Sequence, residues 1–307
     1  MRLGLDVGGT KIEVIALASS GRVLERRRIA TPQTRYDDVV RAIAQLVHDT
    51  ENKLGQKGTV GLAIPGAISP VTGLVKNANN TRLIGHPFDK DVSRALRRDV
   101  RAANDANCFA LSESTDGAGK GKHVVFGIIA GTGVGGGVCI DAKPLTGAHA
   151  IAGEWGHNPL PSPKGDEIGG APSCYCGRSG CIESWISGPA LAQQYARKAR
   201  QSLDATEIAK AAASGDHIAS VVMESFYDRF ARAVATLVNI LDPDTIVLGG
   251  GLSNIDALYR ELPSRVETYA FAPEGRPAIV KNVHGDSSGV RGAAWLWPEG
   301  DAAGLPI

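Results

Sequence analysis

The amino-acid sequence predicts an α/β protein with a duplicated unit, arranged as two lobes around a central cleft. Its 307 residues exceed the usual size of one domain, which is about 100 to 200 residues. A pattern of strand, glycine turn, strand and helix occurs twice, about 125 residues apart. The composition, with 43% hydrophobic and 21% charged residues, is typical of a globular protein with a buried core.

In each copy, apolar runs with strand-like spacing flank a glycine turn, and a helical pattern follows. A terminal helix at 287–297 could pack back on the first lobe. We therefore expect a small lobe of residues 1–118 plus 286–307 and a large lobe of residues 119–285. The predicted strands are 2–7, 11–18, 23–29, 59–64, 124–130, 134–140 and 245–248, and the predicted long helices are 36–54 and about 220–241.

Charge and hydropathy exclude two broad classes of function. The chain has 33 Lys and Arg residues against 32 Asp and Glu, and no basic run is long enough to follow a nucleic-acid backbone. No charged leader with an apolar stretch is visible, and the longest apolar run, residues 124–140, is interrupted by glycines. We expect a cytoplasmic protein without nucleic-acid or membrane partners.

The first motif that indicates chemistry is Asp6-Val7-Gly8-Gly9-Thr10-Lys11, between the first two strands. An acidic residue closes a strand there, and paired glycines allow backbone N–H groups to approach an anion closely. Such a turn suits a polyphosphate and a metal ion. An ordinary hairpin turn, in which paired glycines are also common, is the alternative.

A second glycine-rich turn, Gly131-Thr132-Gly133-Val134-Gly135-Gly136-Gly137, fits both the dinucleotide and the protein-kinase glycine patterns. A dinucleotide fold needs a helix to begin in the turn, but this sequence continues as a strand. The other protein-kinase motifs and the Walker sequence are absent from the chain. A nucleotide site would therefore be assembled from separate hairpins.

The pair Asn104-Asp105 lies between a predicted strand at 100–103 and a predicted helix at 106–114. A carboxylate at such a junction can accept the proton of an attacking hydroxyl, while Asn104 supplies hydrogen bonds without acting as a base. The alternative is that Asp105 only caps the helix.

Three of the five cysteines, Cys174, Cys176 and Cys181, follow Glu154-Trp155-Gly156-His157 in a glycine-rich stretch. One imidazole and three thiolates suit a closed structural zinc site, and disulfides are rare in the cytosol. Buried reduced cysteines are the alternative, because Cys-x-Cys is tighter than the common zinc-finger spacing. A bound zinc could hold Glu154 and Glu183 rigidly toward vicinal hydroxyls of a ligand.

Together, these residues resemble the ROK family of sugar kinases and sugar-responsive repressors over essentially the whole chain. Residues 6–11 are similar to the family's first phosphate motif, Asn104-Asp105 to its sugar and catalytic-base pair, and residues 131–137 to its second phosphate turn. Residues 154–183 are similar to its E-x-G-H and C-x-C-G-x-x-G-C-x-E signature. Joint agreement of these motifs is highly specific.

The resemblance implies the actin-like fold of hexokinases with two ribonuclease H-like lobes, an ATP-dependent activity with Mg²⁺, and a homodimer. The implied catalytic base is Asp105, and the implied sugar-binding residues are Asn104, Asp105, Glu154, His157 and Glu183. The implied zinc ligands are His157, Cys174, Cys176 and Cys181. The implied contacts of ATP and Mg²⁺ are Asp6, Gly8, Gly9, Thr10, Lys11, Gly131, Thr132, Gly133, Gly249, Gly250 and Gly251.

Residues 76–80, 87–91 and 284–292 are most similar to the family's bacterial fructokinase (mannofructokinase) branch. The resemblance thus implies transfer of the ATP γ-phosphoryl group to the 6-hydroxyl of fructose, with mannose as a second sugar. The alternatives are a glucokinase or N-acetylhexosamine kinase, and a sugar-sensing repressor, which would need a DNA-binding module before Met1. Trp155 replaces the small residue of many relatives. Its ring would crowd an acetamido group if it faced the pocket, but not if it faced the core.

Overall fold

The computed structural model describes residues 1–78, 80–271 and 277–298 of the chain. Asn79, in the segment 76–80, and residues 299–307 of the expected small lobe lie outside the described residues. Within the described ranges, no helix is long and apolar enough to cross a membrane.

Most strands belong to two five-stranded sheets. The strands are β1 (Arg2–Val7), β2 (Lys11–Leu17), β3 (Val23–Ala30), β4 (Thr59–Ile64), β5 (Ala67–Ile68), β6 (Val75–Lys76), β7 (Val100–Asn104), β8 (Val124–Ala130), β9 (Val134–Ile140), β10 (Lys143–Pro144), β11 (Thr245–Gly249) and β12 (Ile279–Lys281). The first sheet has the order β3-β2-β1-β4-β7 and the second has the order β10-β9-β8-β11-β12.

Both sheets have the same topology. In each, three consecutive strands form an antiparallel meander, and the first strand of that meander pairs in parallel with a later strand. A further parallel strand, β7 or β12, completes the sheet. The repeated order confirms the duplicated α/β unit and the two-lobed fold predicted from the sequence.

Helices cover the sheets, and each sheet has its own core. In α1, Val39, Ile43 and Val47 are spaced to form one apolar stripe, which packs against the first sheet. Phe226 and Phe230 of α7 belong to the core of the second sheet. The helices are α1 (Tyr36–Leu54), α2 (Phe88–Leu96), α3 (Asp105–Thr115), α4 (Glu183–Ile186), α5 (Gly188–Ala199), α6 (Ala205–Ala213), α7 (His217–Leu241), α8 (Ala257–Tyr269) and α9 (Ser288–Trp295).

Two helices, α3 and α9, each follow a strand of one sheet and pack against the other sheet. α3 follows β7 of the first sheet, yet it lies so close to β9 that a Cβ at Gly137 would be 2.4 Å from the Ala106 carbonyl oxygen. α9 follows β12 of the second sheet, yet a Cβ at Gly61 of β4 would be 1.8 Å from the Ala293 carbonyl oxygen. Residues 106–114 of α3 are all buried, as expected for a helix enclosed between two layers.

Helices α3 and α9 cross at Gly292 of α9. A Cβ at this position would lie 1.6 Å from the carbonyl oxygen of Cys108 in α3, so the helices meet backbone to backbone. Beside the crossing, the fully buried Glu113 accepts hydrogen bonds from Ser288 Oγ at 2.6 Å and from the Val283 N–H at 3.1 Å. These contacts fasten α3 to the segment that leads into α9.

A second polar cluster connects the end of α3 to the first sheet. Arg291 of α9 donates through Nε to Asp116 at 3.1 Å and through Nη2 to the Gly21 carbonyl at 2.6 Å. His284 Nε2 lies 3.0 Å from the same Asp116 carboxylate. Hydrogen bonds from His284 and Arg291 hold the pKa of Asp116 below its usual range although burial opposes them.

The predicted elements agree with the structure to within a few residues, but several elements were not predicted. The helix expected at 106–114 begins one residue earlier, and the long helix begins at His217. β12 is only three residues long, which is too short for a periodic signal, and α2, α5 and α8 were also missed. The lobe boundaries remain a proposal, since α3 and α9 each pack on the opposite sheet.

The helix crossing gives a stability prediction with an internal control. Gly292→Ala should lower the free energy of unfolding by about 2 to 3 kcal/mol, because the added methyl overlaps the Cys108 carbonyl. Gly289→Ala lies in the same helix, and its methyl would meet no other atom within 4 Å. It should be neutral or stabilise by about 0.5 to 1 kcal/mol through helix propensity. Urea denaturation followed by circular dichroism measures both. Equal midpoints for the two variants would show that the crossing tolerates a side chain.

Candidate active site

The carboxyl ends of β1, β4 and β7 lie together at one edge of the first sheet. These strands are parallel neighbours, with Asp6 beside Ala63 and Ala63 beside Ala103 in register. Asp105 follows β7 directly and is the first residue of α3. Asp6 and Asp105 therefore lie at the same edge of the sheet.

Asn104, not Asp105, is the N-cap of α3. Its Oδ1 accepts hydrogen bonds from the N–H groups of Ala106 at 2.9 Å and Asn107 at 3.3 Å, and its Nδ2 donates to the Gly66 carbonyl at 3.0 Å. Asp105 is therefore not the N-cap, although its Oδ1 also accepts the Ala106 N–H at 2.8 Å. A direct contact between Asn104 and a sugar stays a prediction, because both polar atoms of this side chain already bind backbone.

Asp105 is a half-buried carboxylate near two others. Burial and the charge of Asp6 raise the pKa of Asp105 to about 6; the Ala106 N–H opposes this shift and Glu154 adds to it. Burial and the cross-strand Glu13 likewise raise the pKa of Asp6 to about 6. Carboxylates from the first sheet, from α3 and from a loop of the second lobe thus face one region, where a cation or a shared proton would be stabilised.

The first glycine motif forms the hairpin turn between β1 and β2. The Gly8 N–H donates to the Lys11 carbonyl at 3.0 Å, and Gln33 Nε2 donates to the Gly9 carbonyl at 2.8 Å. Gly9, Thr10 and Lys11 are exposed at its tip. The turn is a hairpin, and its role in phosphate binding stays a prediction.

The second glycine turn lies beside the glycines that follow β11. β8 and β11 are parallel neighbours, so residues 131–133 and 249–251 share one edge of the second sheet. Gly250 has a φ of +78° and passes so close to β8 that a Cβ would lie 2.4 Å from the Ala130 carbonyl oxygen. The Gly188 N–H, at the start of α5, donates to the Gly131 carbonyl at 2.8 Å.

A cleft of about 360 Å³ opens next to these glycines and was not predicted from the sequence. It lies where β11 and β12 end, beside Gly249, Gly250 and Gly251, which are among the implied contacts of ATP. The amides of Asn254 and Asn282 and the hydroxyl of Ser253 are among its polar groups, which suits a heterocycle or a ribose. Its lining includes Gly250, Ser253, Asn254, Lys281, Asn282 and Asp286.

The three cysteines and His157 come together as the sequence predicts. All four potential ligand atoms lie within 4.8 Å of one another. Cys176 Sγ lies 3.6 Å from Cys181 Sγ, and Cys174 Sγ lies 3.6 Å from His157 Nδ1. Tetrahedral zinc, with Zn–S near 2.3 Å, places such ligands about 3.5 to 3.8 Å apart. The donor set and its spacing therefore fit a closed zinc site.

Backbone hydrogen bonds connect the two segments that carry these ligands. The Ile182 N–H donates to the Asn158 carbonyl at 2.8 Å, and the Leu160 N–H donates to the Gly180 carbonyl at 2.9 Å. The Cys174 N–H donates to the Arg178 carbonyl at 2.8 Å within the cysteine turn. The cluster thus has a formed backbone frame around it.

Glu183 joins the cysteine loop to the second glycine turn. Its Oε2 accepts a hydrogen bond from the Val134 N–H at 2.9 Å, and its Oε1 lies 3.8 Å from Cys174 Sγ. Glu154 is half-buried and near enough to Asp105 to affect its pKa. Glu183 therefore borders the cysteine loop, and the contact of either acid with a sugar stays a prediction.

Trp155 faces the core rather than the cleft. Only 4% of its surface is exposed, its ring meets Phe126 edge to face at 6.0 Å, and its Nε1 donates to the Gly135 carbonyl at 3.2 Å. The ring therefore supports β9 from inside and does not crowd a ligand.

Sequence reasoning did not single out Tyr175, between the cysteines of the Cys-x-Cys pair. Its hydroxyl lies 3.1 Å from His157 Nε2, while 81% of the residue is exposed. Loss of solvent around the hydroxyl, followed by the charges of Glu183 and Glu154, raises the pKa of Tyr175 to about 12. The only signal in the sequence was an aromatic residue between two potential ligands.

Comparison with known proteins agrees with this architecture. A model of the ROK family matches residues 2–300. An N-acetyl-D-glucosamine kinase of Pectobacterium carotovorum is 40% identical over 299 residues, which cover 96% of this chain and 98% of that protein.

Solved structures extend the comparison. A ROK hexokinase from Thermus thermophilus has a TM-score of 0.84 at 29% identity and covers 95% of this chain and 96% of its own. A ROK family glucokinase from Streptomyces griseus, in complex with glucose and AMPPNP, has a TM-score of 0.75 at 28% identity, with coverage of 96% and 98%.

The ligand cluster predicts about one zinc ion per chain in protein purified without chelator. Cys176→Ser should lose most of the metal and lower the melting temperature, because three remaining ligands leave the shell incomplete. Cys139→Ala, which removes a buried cysteine outside the cluster, should retain zinc. Plasma mass spectrometry with thermal denaturation measures both. A wild-type chain without zinc, or equal metal content in both variants, would refute the site.

Proposed function

The chain belongs to the ROK family, and on that premise we propose that it is an ATP-dependent sugar kinase that phosphorylates a hexose on its 6-hydroxyl. The observation that carries the proposal is the placement of Asp105. Its carboxylate lies at the junction of β7 and α3, where the charges of Asp6 and Glu154 both raise its pKa. A glycine turn follows a strand of each sheet near this region. A nucleotide site assembled from two separate hairpins requires such an arrangement.

In the proposed reaction, Asp105 accepts the proton of the sugar hydroxyl as the hydroxyl oxygen attacks the γ-phosphorus of ATP. The new oxygen–phosphorus bond forms while the bond to the β-phosphate oxygen breaks, and ADP leaves. A pKa of about 6 suits this role, because the carboxylate is ionised at neutral pH and is still more basic than an ordinary aspartate.

The two glycine turns are proposed to hold the polyphosphate through backbone N–H groups, with Lys11 exposed beside the first turn. Asp6 would hold Mg²⁺, and its raised pKa fits this assignment, since a cation would compensate the burial and the nearby Glu13. The ion would neutralise charge on the transferred phosphoryl group. Residues 249–251 and the adjacent cleft would hold adenosine.

Two hexoses are candidates for the substrate. The relatives at 40% identity are N-acetyl-D-glucosamine kinases, which supports that sugar before fructose and corrects the order expected from residues 76–80, 87–91 and 284–292. The buried Trp155 also removes the obstacle to an acetamido group. Fructose remains the second candidate, because hydrogen bonds to common hydroxyls do not by themselves select one hexose.

A hexose panel in a coupled ADP-release assay tests the proposal. We expect ATP-dependent ADP release with N-acetyl-D-glucosamine or D-fructose, at a kcat/KM at least about 10-fold above that for glucose, a difference of about 1.4 kcal/mol in transition-state binding. Phosphorus NMR of the product should place the phosphate on carbon 6.

Three results would contradict parts of this proposal. Binding of a hexose without ADP release would favour the sugar-sensing repressor. A preference for glucose of about 10-fold would overturn both candidate sugars. Phosphate on carbon 1 would overturn the proposed geometry. The homodimer and the cytoplasmic location implied by the resemblance stay predictions.

A further inference from the structure

Tyr175 stands between two potential zinc ligands, Cys174 and Cys176, with most of its ring in solvent. Single exposed apolar side chains are ordinary on protein surfaces, so the exposure alone indicates nothing. The hydroxyl is informative, because it points back to His157 rather than outward. Its oxygen lies 3.1 Å from His157 Nε2, and the two rings meet edge to face at 5.2 Å.

The two nitrogens of His157 face different partners. Nδ1 lies 3.6 Å from Cys174 Sγ, on the side of the ligand cluster, and Nε2 lies beside the Tyr175 hydroxyl. A neutral imidazole that binds metal through Nδ1 carries its proton on Nε2 and donates it. Nε2 would then donate to the Tyr175 oxygen, which leaves the Tyr175 hydroxyl proton for another acceptor.

The residues around this histidine and tyrosine belong to the expected sugar site. Glu183 Oε1 lies 3.8 Å from Cys174 Sγ, beside Tyr175 in the chain, and the Glu154 carbonyl accepts the His157 N–H at 3.2 Å. The resemblance implies His157, Glu154 and Glu183 as sugar-binding residues. With Nδ1 on the side of the metal ligands and Nε2 beside Tyr175, His157 would act on the sugar through the Tyr175 hydroxyl. The hydroxyl of Tyr175 therefore contacts a residue of the expected sugar site, and its exposed ring is free to cover a ligand there.

We propose that Tyr175 is a specificity-determining residue of the hexose site, with its hydroxyl donating to a sugar oxygen and its ring covering one face of the sugar. The proposal rests on the proposed function. Tyr175 suits this task because an aromatic side chain has only two rotatable bonds and carries a polar tip. Its backbone is fixed on both sides by the cysteine turn, in which the Gly177 N–H donates to the Cys174 carbonyl at 3.0 Å. A metal at the cysteines would thereby set the position of a sugar contact.

Two substitutions separate the hydroxyl from the ring. Tyr175→Phe should raise the KM and the Kd for the sugar by about 2- to 12-fold, which is the value of one hydrogen bond of about 0.5 to 1.5 kcal/mol. Tyr175→Ala should raise them further and reduce the discrimination between D-fructose and N-acetyl-D-glucosamine. The KM for ATP should change by less than about twofold, and kcat should fall less than the affinity for the sugar.

The experiment combines titration calorimetry, with each of these two sugars in the absence of ATP, and initial rates with ATP. Phe271→Ala is the matched control, because Phe271 is an aromatic residue that is 93% exposed and has no place in the proposed site. Zinc content and melting temperature are measured for every variant. If Tyr175 supports only the metal site, its substitution should lower the zinc content and the melting temperature. If it contacts the sugar, both should stay at the wild-type value.

The outcomes separate this proposal from the proposed function. Unchanged Kd and KM for the sugar in Tyr175→Ala, with an active wild type, would overturn the role of Tyr175 and leave the kinase intact. A Tyr175→Phe variant equal to wild type would overturn the hydroxyl contact. A wild type that binds one of the sugars without releasing ADP would overturn the kinase, and calorimetry would still decide on Tyr175.

Discussion

The crossing of α3 and α9 at Gly292 is the constraint on which the rest of the structure depends. The Cys108 carbonyl leaves no room for a side chain at position 292, so the two helices meet backbone to backbone, and each lies on the sheet of the other lobe. α3 therefore begins at Asp105 in the first lobe and lies against the second lobe at Gly137. This path brings the Asp105 carboxylate near both Asp6 and Glu154, and each raises its pKa.

A second set of contacts runs from the cysteine cluster to the glycine turn of the large lobe. Glu183 touches Cys174 with one oxygen and accepts the Val134 N–H with the other. Through Glu183, the cysteine loop is thus connected to the first residue of β9, directly after the turn that would hold phosphate. Zinc at this position would perform no chemistry; it would fix the groups around the reacting hydroxyl, where small displacements reduce rates strongly.

Much of this arrangement could be predicted from sequence because its signals are local. A glycine turn between strands predicts an anion-binding turn, and one histidine with three cysteines predicts a metal site, without knowledge of distant contacts. Other features depend on packing between distant residues. Asn104 and Asp105 are both residue types that commonly form an N-cap. Only the backbone conformation of the folded chain shows that Asn104 takes this position. The sequence allows Trp155 to face the pocket or the core, and its contact with Phe126, a distant residue, decides for the core. The buried pair of Arg232 and Glu167, with contacts of 2.8 and 2.9 Å, joins α7 to a loop 65 positions earlier and has no local signature.

The central claim is that Asp105 acts as a base and not as a structural residue, and Asp105→Asn tests it most directly. Because the folded state raises this pKa to about 6, its contribution to stability is present at low pH and is lost as the pH rises through about 6. At pH 7.5 the variant should therefore melt at or above the wild-type temperature. With the best sugar of the panel and ATP, we predict a kcat lower by about 100-fold or more and an almost unchanged Kd for the sugar. A kcat close to wild type in the folded variant would contradict the claim.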